Sequence, residues 1–164
     1  MLPLRWTIAT PSTPTLRPLR LPGSLTARLS RRGEVSVEVL FSGWDQARPD
    51  EAAALGLRGP GQRLYAREVC IGLDGAPTIL ARSVTSIPGI KGPWKALRHL
   101  GRKPLADLLW AQPLIGRGPF EYTRLPAGDG KPALPARRSC FCLQGEKLIV
   151  LEAFVSLPWP GADA

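Results

Sequence analysis

Hydrophobic and polar positions alternate along two long stretches of the chain, each interrupted by a two-residue turn signal. In RLYAREVCIGLDGAPTILARSVTSIP, residues 63–88, apolar side chains recur at every second position on both sides of Asp74-Gly75. That is the pattern of two antiparallel strands joined by a tight type I′ turn. The segment RRSCFCLQGEKLIVLEAFVSLP repeats it around Gln144-Gly145. Val35 to Phe41 and Phe120 to Leu125 predict two further strands, and Ser42 to Gln62 a loop with one helical turn at Asp50 to Leu55. SLTARLSRRG predicts a short helix with Ser24 as N-cap and Gly33 as terminator. After a turn-rich PGIKG connector, Trp94, Leu97, Leu100, Leu105, Leu108 and Leu109 mark a helix broken at Gly101 and restarted at Pro104. Strands, then a helical pair, then strands again predict an α+β single domain, a mainly antiparallel sheet with helices packed on one side. Residues 1–23, rich in proline and arginine, are expected to form an arm, and residues 24–160 the folded domain.

The first hairpin carries charges that its pattern does not explain. A two-residue turn at Asp74-Gly75 would set Leu73 opposite Ala76, Ile71 opposite Thr78, Val69 opposite Leu80 and Arg67 opposite Arg82. Like charges directly across a strand pair are unfavourable, and a buried unpaired charge costs on the order of several kcal/mol. Something negative is therefore expected nearby. Glu152, on the face of Leu148, Val150 and Phe154, is equally out of pattern. Two readings stay open: a buried structural Arg–Glu pair, or a mostly apolar pocket. In the second, Arg67 holds an anionic ligand and Glu152 hydrogen-bonds its far end. Two arginines against one glutamate favour the ligand.

The chain has 164 residues and a net charge of +9, with basic clusters at Arg31-Arg32, Lys95 to Lys103 and Arg137-Arg138. No aromatic-basic motif accompanies them, so the charge reads as a solvated surface that draws acidic metabolites rather than nucleic acid. The three cysteines, Cys70, Cys140 and Cys142, are an odd set suited to reduced thiols in the cytoplasm. Cys140 and Cys142 share one strand face and read as small buried hydrophobes. A metal is not expected, because His99 is the one histidine and no second cysteine pair exists. No apolar run reaches membrane-span length, and the proline-studded N-terminus matches neither a signal peptide nor an amphipathic transit helix. There is no glycine-rich phosphate loop and no Ser-His-Asp set, and His99 is expected on an exposed helix face.

The hairpin YAREVCIGLDGAPTILARSVTSIP, the segment LGRKPLADLLW, the turn PFEY and the closing LIVLEAFVSLP together resemble the chorismate pyruvate-lyase family. That family converts chorismate to 4-hydroxybenzoate and pyruvate, the first step of ubiquinone biosynthesis. The resemblance runs in order from Ser24 to Pro158. It implies a chorismate-lyase-like fold with an enclosed ligand cavity, a carbon–oxygen lyase and no cofactor; a monomer is expected. It also implies that Arg67 binds the ring carboxylate, that Leu105 gives a backbone N–H to the ligand and that Glu152 meets the 4-hydroxyl end. Leu25 stands where the family places a methionine between Ser and Thr, and keeps the backbone N–H. Arg82 is expected to help hold the second carboxylate or to bias the local potential. The sequence departs from the family in its proline-rich arm, which replaces an N-terminal helical segment. It also carries one extra residue before the proline of Ala81-Arg82-Ser83-Val84-Thr85-Ser86-Ile87-Pro88. The main alternative is a non-catalytic effector-sensing domain of the same fold, found on bacterial repressors. Against it, residues 1–24 are too short and too proline-rich for a DNA-binding domain.

Overall fold

Both turn signals fold as the pattern requires. Asp74 and Gly75 have φ of 50° and 79°, Gln144 and Gly145 of 51° and 81°, the left-handed pair that a type I′ turn needs. In this computed structural model, which describes residues 4–9, 19–20, 23–128 and 130–156, each turn joins two long strands. The first hairpin is β2 (Arg63–Leu73) and β3 (Ala76–Thr85); the second is β6 (Leu134–Leu143) and β7 (Glu146–Phe154). Pairing of β3 with β7 fuses the two into one antiparallel sheet. With β1 (Val35–Gln46), β4 (Gly116–Arg117) and β5 (Glu121–Leu125), the order is β1-β2-β3-β7-β6-β4, and β5 also pairs with β6. Strand β1 outruns its alternating pattern. Leu40, Phe41 and Ser42 are exposed, and past a shift between Val39 and Phe41 the strand continues through its ladder with β2 to Gln46.

The helices are short. Helix α1 (Leu25–Leu29) is capped by Ser24, whose Oγ accepts from the Ala27 N–H at 3.1 Å. The PGIKG connector is part of a helix, α3 (Ile87–Lys91), capped by Ser86. Gly89 is required there, since a Cβ would lie 2.2 Å from Thr85 Oγ1. A 3₁₀ turn (Lys95–His99) and α4 (Leu105–Trp110) form the broken pair. Ile90, Trp94, Leu97 and Leu100 pack onto Tyr65, Phe141, Leu143 and Leu148, while Leu25 and Leu29 pack onto Val69, Ile71 and Phe154. The fully buried Trp94 keeps its indole N–H satisfied by the Glu146 carbonyl at 3.0 Å. These elements share one face of the sheet. Helix α2 (Pro49–Leu55) lies on the other, where Ala52 meets Leu64, Ala66, Val84 and Ile149.

The beginning of the expected arm is tied down. Thr7 forms an antiparallel bridge with Tyr122 of β5, and the Trp6 indole donates to Asp50 at 2.9 Å. Residues 10–18 and 21–22 of that arm and residues 157–164 lie outside the described residues. No helix among the described residues is long and apolar enough to cross a membrane.

Candidate active site

The register of the first hairpin decides which charges face inward. Leu73 pairs with Ala76 and Gly72 with Pro77, but Ile71 then pairs with Ile79. Thr78 is an extra residue on β3, held as a bulge by its hydroxyl bond to the Ala76 carbonyl and by Val155 N–H donating to its own carbonyl. Beyond it, every β3 residue is displaced by one from the expected pairing: Arg67 faces Ser83, and Arg82 faces Glu68. Side chains alternate with period two, so one extra residue turns Arg82 onto the opposite face. The expectation that Arg82 joins Arg67 in a ligand pocket is corrected accordingly. Its Nε donates to Glu51 Oε1 at 2.6 Å, Nη2 to Glu51 Oε2 at 3.1 Å, and Nη1 to Glu68 at 2.8 Å and Asp45 at 2.9 Å. Burial by itself would lower the Arg82 pKa, but Glu51, then Glu68 and Asp45, hold it above the ordinary arginine value. Arg138 on the same face is likewise matched, by Glu121 at 2.8 Å and Asp50 at 3.2 Å.

The other face of the sheet lines a cavity bordered by α1 and α4. Arg67, Glu152, Leu25 and Leu105 all border it, with apolar walls from Val37, Val69, Ile71, Phe141 and Val150. About 80 Å³ is open to the centre of a water-sized sphere, room for several waters at the roughly 10–15 Å³ each needs. Leu25 and Leu105 each open a helix, so their backbone N–H groups lack partners within those helices.

Arg67 is 3% exposed. Its Nη2 donates to the Gly101 and Lys103 carbonyls at 2.9 and 3.0 Å, which ties it to the turn before α4. Among the described residues no carboxylate pairs with it, and burial pulls its pKa down. A guanidinium desolvated without a counter-ion, with Nε and Nη1 left over, is a receptor for an anion.

Glu152 sits directly across the ladder from Arg137, whose Nε donates to Oε2 at 2.5 Å. Arg137 is 1% exposed, also donates to the Leu19 carbonyl, and lies 4.2 Å over the Phe120 ring. The pairing leaves Glu152 Oε1 for the cavity. Arg117 of β4 also borders the cavity, with Nη2 donating to Ser139 Oγ at 3.2 Å and its guanidinium 4.1 Å over Phe120. The carboxylate expected to meet Arg67 thus has a different partner. Counting back from Gln144-Gly145 places Arg137 opposite Glu152, so the signal was present in the second hairpin. Read as a surface cluster, Arg137-Arg138 conceals that alternate strand residues face opposite ways: Arg137 inward, Arg138 outward. Arg117 carries no such signal, because β4 is two residues long.

Cys140 is half-buried but Cys142 is exposed, which corrects the expectation of two buried thiols: position 142 falls where β6 pairs with exposed Lys147. His99 is exposed. No group of histidine, cysteine or acidic side chains among the described residues is arranged to hold a metal.

Comparison with known proteins gives this geometry a family. Relatives named probable chorismate pyruvate-lyase include those of Bordetella pertussis, 38% identical over 97% of this chain and 92% of the relative, and Aromatoleum aromaticum, 42% identical over 85% and 84%. A Pseudomonas fluorescens protein named probable chorismate pyruvate-lyase 1 is 38% identical over 86% of this chain and 82% of its own. Among solved structures, a GntR-family transcriptional regulator from Bacillus cereus superposes with a TM-score of 0.57 at 12% identity, covering 80% of this chain and 99% of that one. The effector domain of PhnF from Mycobacterium smegmatis does so at 0.53 and 13%, covering 80% and 88%. At that identity the likeness shows the fold alone. A family model described as chorismate lyase matches residues 7–159, and with it the chain belongs to the chorismate lyase family.

Proposed function

We propose that this protein converts chorismate to 4-hydroxybenzoate and pyruvate, the first step of ubiquinone biosynthesis, as a cofactor-independent carbon–oxygen lyase. The observation that carries the reading is the buried Arg67, without a carboxylate partner among the described residues, sharing one apolar cavity with Glu152. The ring carboxylate meets Arg67 Nε and Nη1, and the N–H groups of Leu25 and Leu105 complete its cradle. The 4-hydroxyl meets Glu152 Oε1.

The reaction balances without redox chemistry. The C3–O ether bond breaks, hydrogen leaves C4, the ring becomes aromatic, and one proton arrives at the enolpyruvyl methylene to give the methyl of pyruvate. The protein's contribution is to hold the substrate in one reactive conformation away from water. Glu152, anchored by Arg137, is the group placed to move a proton at the hydroxyl end. We further propose that the chain acts as a cytoplasmic monomer without nucleic-acid partners.

The shared fold leaves an effector-sensing domain as the alternative, and the names of the relatives favour the enzyme. Purified protein is mixed with chorismate alone, and 4-hydroxybenzoate absorbance and pyruvate are followed together. Equimolar appearance of both, above the spontaneous rate, is expected. Binding of 4-hydroxybenzoate without turnover would overturn the enzyme reading and leave the sensor.

A further inference from the structure

The two faces of the sheet treat arginine differently. On the outer face, Arg82 and Arg138 are each matched by carboxylates. On the cavity face, Arg137 is matched by Glu152, but Arg67 and Arg117 donate to neutral oxygens only: the carbonyls of Gly101 and Lys103, and the Ser139 hydroxyl. Two guanidinium groups without carboxylate partners among the described residues, bordering one mostly apolar cavity, complement a dianion rather than a monoanion. We infer that Arg117, with the Ser139 hydroxyl beside it, receives the second carboxylate of the substrate, the one carried on the enolpyruvyl ether.

This rests on chorismate being the substrate, and the shape of that molecule supplies the rest. Its ring carboxylate lies across the ring from the 4-hydroxyl, while the enolpyruvyl ether leaves the carbon next to that hydroxyl. Binding the ring carboxylate at Arg67 and the hydroxyl at Glu152 therefore puts the second carboxylate at the Glu152 end. Arg117 occupies that end. It pairs with Phe141 of β6, the strand that carries Ser139 and Arg137, and Arg137 faces Glu152. Arg67 is on β2, with β3 between it and β7. Burial, and then repulsion from Arg137, lower the Arg117 pKa against the weaker opposing pull of Glu152, and an arriving carboxylate would offset both. Once the ether bond breaks, this carboxylate leaves with pyruvate and 4-hydroxybenzoate makes no use of Arg117. The residue thus distinguishes substrate from product.

The test compares the two ligands in Arg117→Met, which keeps a flexible chain against Phe120. The expected result is a fall in kcat/KM for chorismate of roughly 10- to 100-fold, the scale of losing a charge-assisted hydrogen bond. The 4-hydroxybenzoate Kd should stay within about threefold of wild type, and Arg117→Lys should recover part of the loss. An equal loss for both ligands would mark Arg117 as structural and overturn the inference, as would an unchanged kcat/KM. Should Arg117→Met fail to fold, Arg117→Lys alone decides: the split between ligands must still be present. Wild-type protein that neither turns over chorismate nor binds 4-hydroxybenzoate would sink the site reading itself, a different outcome.

Discussion

Replacing Arg67 with methionine separates a ligand-holding arginine from a structural one, because the two roles predict effects of different size on the ligand-free protein. The substitution removes two charge-assisted hydrogen bonds to the Gly101 and Lys103 carbonyls, each worth about 1.5–3 kcal/mol. Both carbonyls belong to exposed residues, so water can replace much of that loss. It also removes a guanidinium that is 3% exposed and has no carboxylate partner among the described residues, and leaving such a charge buried costs several kcal/mol by itself. The terms oppose, and ligand-free stability should change by less than about 2 kcal/mol. Affinity behaves otherwise. Truncating one partner of a buried charge pair costs about 2–5 kcal/mol, which is roughly 30- to 5,000-fold in Kd. Calorimetric titration with 4-hydroxybenzoate, alongside denaturant unfolding without ligand, reads both quantities. An affinity within about threefold of wild type would refute the anion-holding role. A large loss of ligand-free stability would show Arg67 to be a tie between β2 and the turn before α4.

Arg82→Met should show the reverse signature. It strands Glu51, which is 5% exposed, as an unpaired carboxylate, so stability falls by about 3–5 kcal/mol while folded protein binds 4-hydroxybenzoate as wild type does. Weakened binding at unchanged stability would return Arg82 to the site. Asp45 gives the same network a pH dependence. Burial would raise its pKa, but the Gln46 N–H and then Arg82 outweigh this and hold it below the ordinary 3.8. A depressed folded-state pKa stabilises above the ordinary value and is lost as pH falls through it. The stability difference between wild type and Asp45→Asn should therefore be present near neutrality and be lost as the pH falls through the depressed folded-state value. Asp45 is partly exposed, so the difference should stay under about 1 kcal/mol; one that grows on acidification would contradict the assignment. Glu152→Gln keeps an acceptor for Arg137 Nε but removes the carboxyl. A fall in kcat of about 100-fold, the scale of general acid–base catalysis, is expected with a smaller loss in 4-hydroxybenzoate affinity. Equal losses in both would make Glu152 a binding group only.

Period-two alternation and two turn dipeptides were enough to read the paired hairpins, and an arginine or glutamate within such a pattern is visible as an inward charge wherever the face is otherwise apolar. That is why Arg67 and Glu152 stand out along the chain. The partner of Glu152 was readable too, by counting across Gln144-Gly145, but adjacency in sequence made Arg137-Arg138 look like one patch. Helix α3 was hidden by its proline, its glycine and the Gly92 that follows it, which signal a turn unless a cap such as Ser86 and the packing of Ile90 hold the segment in a helix.

By itself, then, the order of residues determined the two long hairpins and their turns, the capped first helix and which positions are chemically out of place, since these depend on local backbone preference and side-chain period. Which way Arg82 points depended on Thr78, whose bulge is held partly by Val155, a residue just past the end of β7 and far along the chain. Arg117 joined the cavity only through a two-residue pairing with β6. Contacts of that kind are decided by the assembled sheet, because one extra residue in a strand inverts every side chain beyond it and no local propensity records the choice.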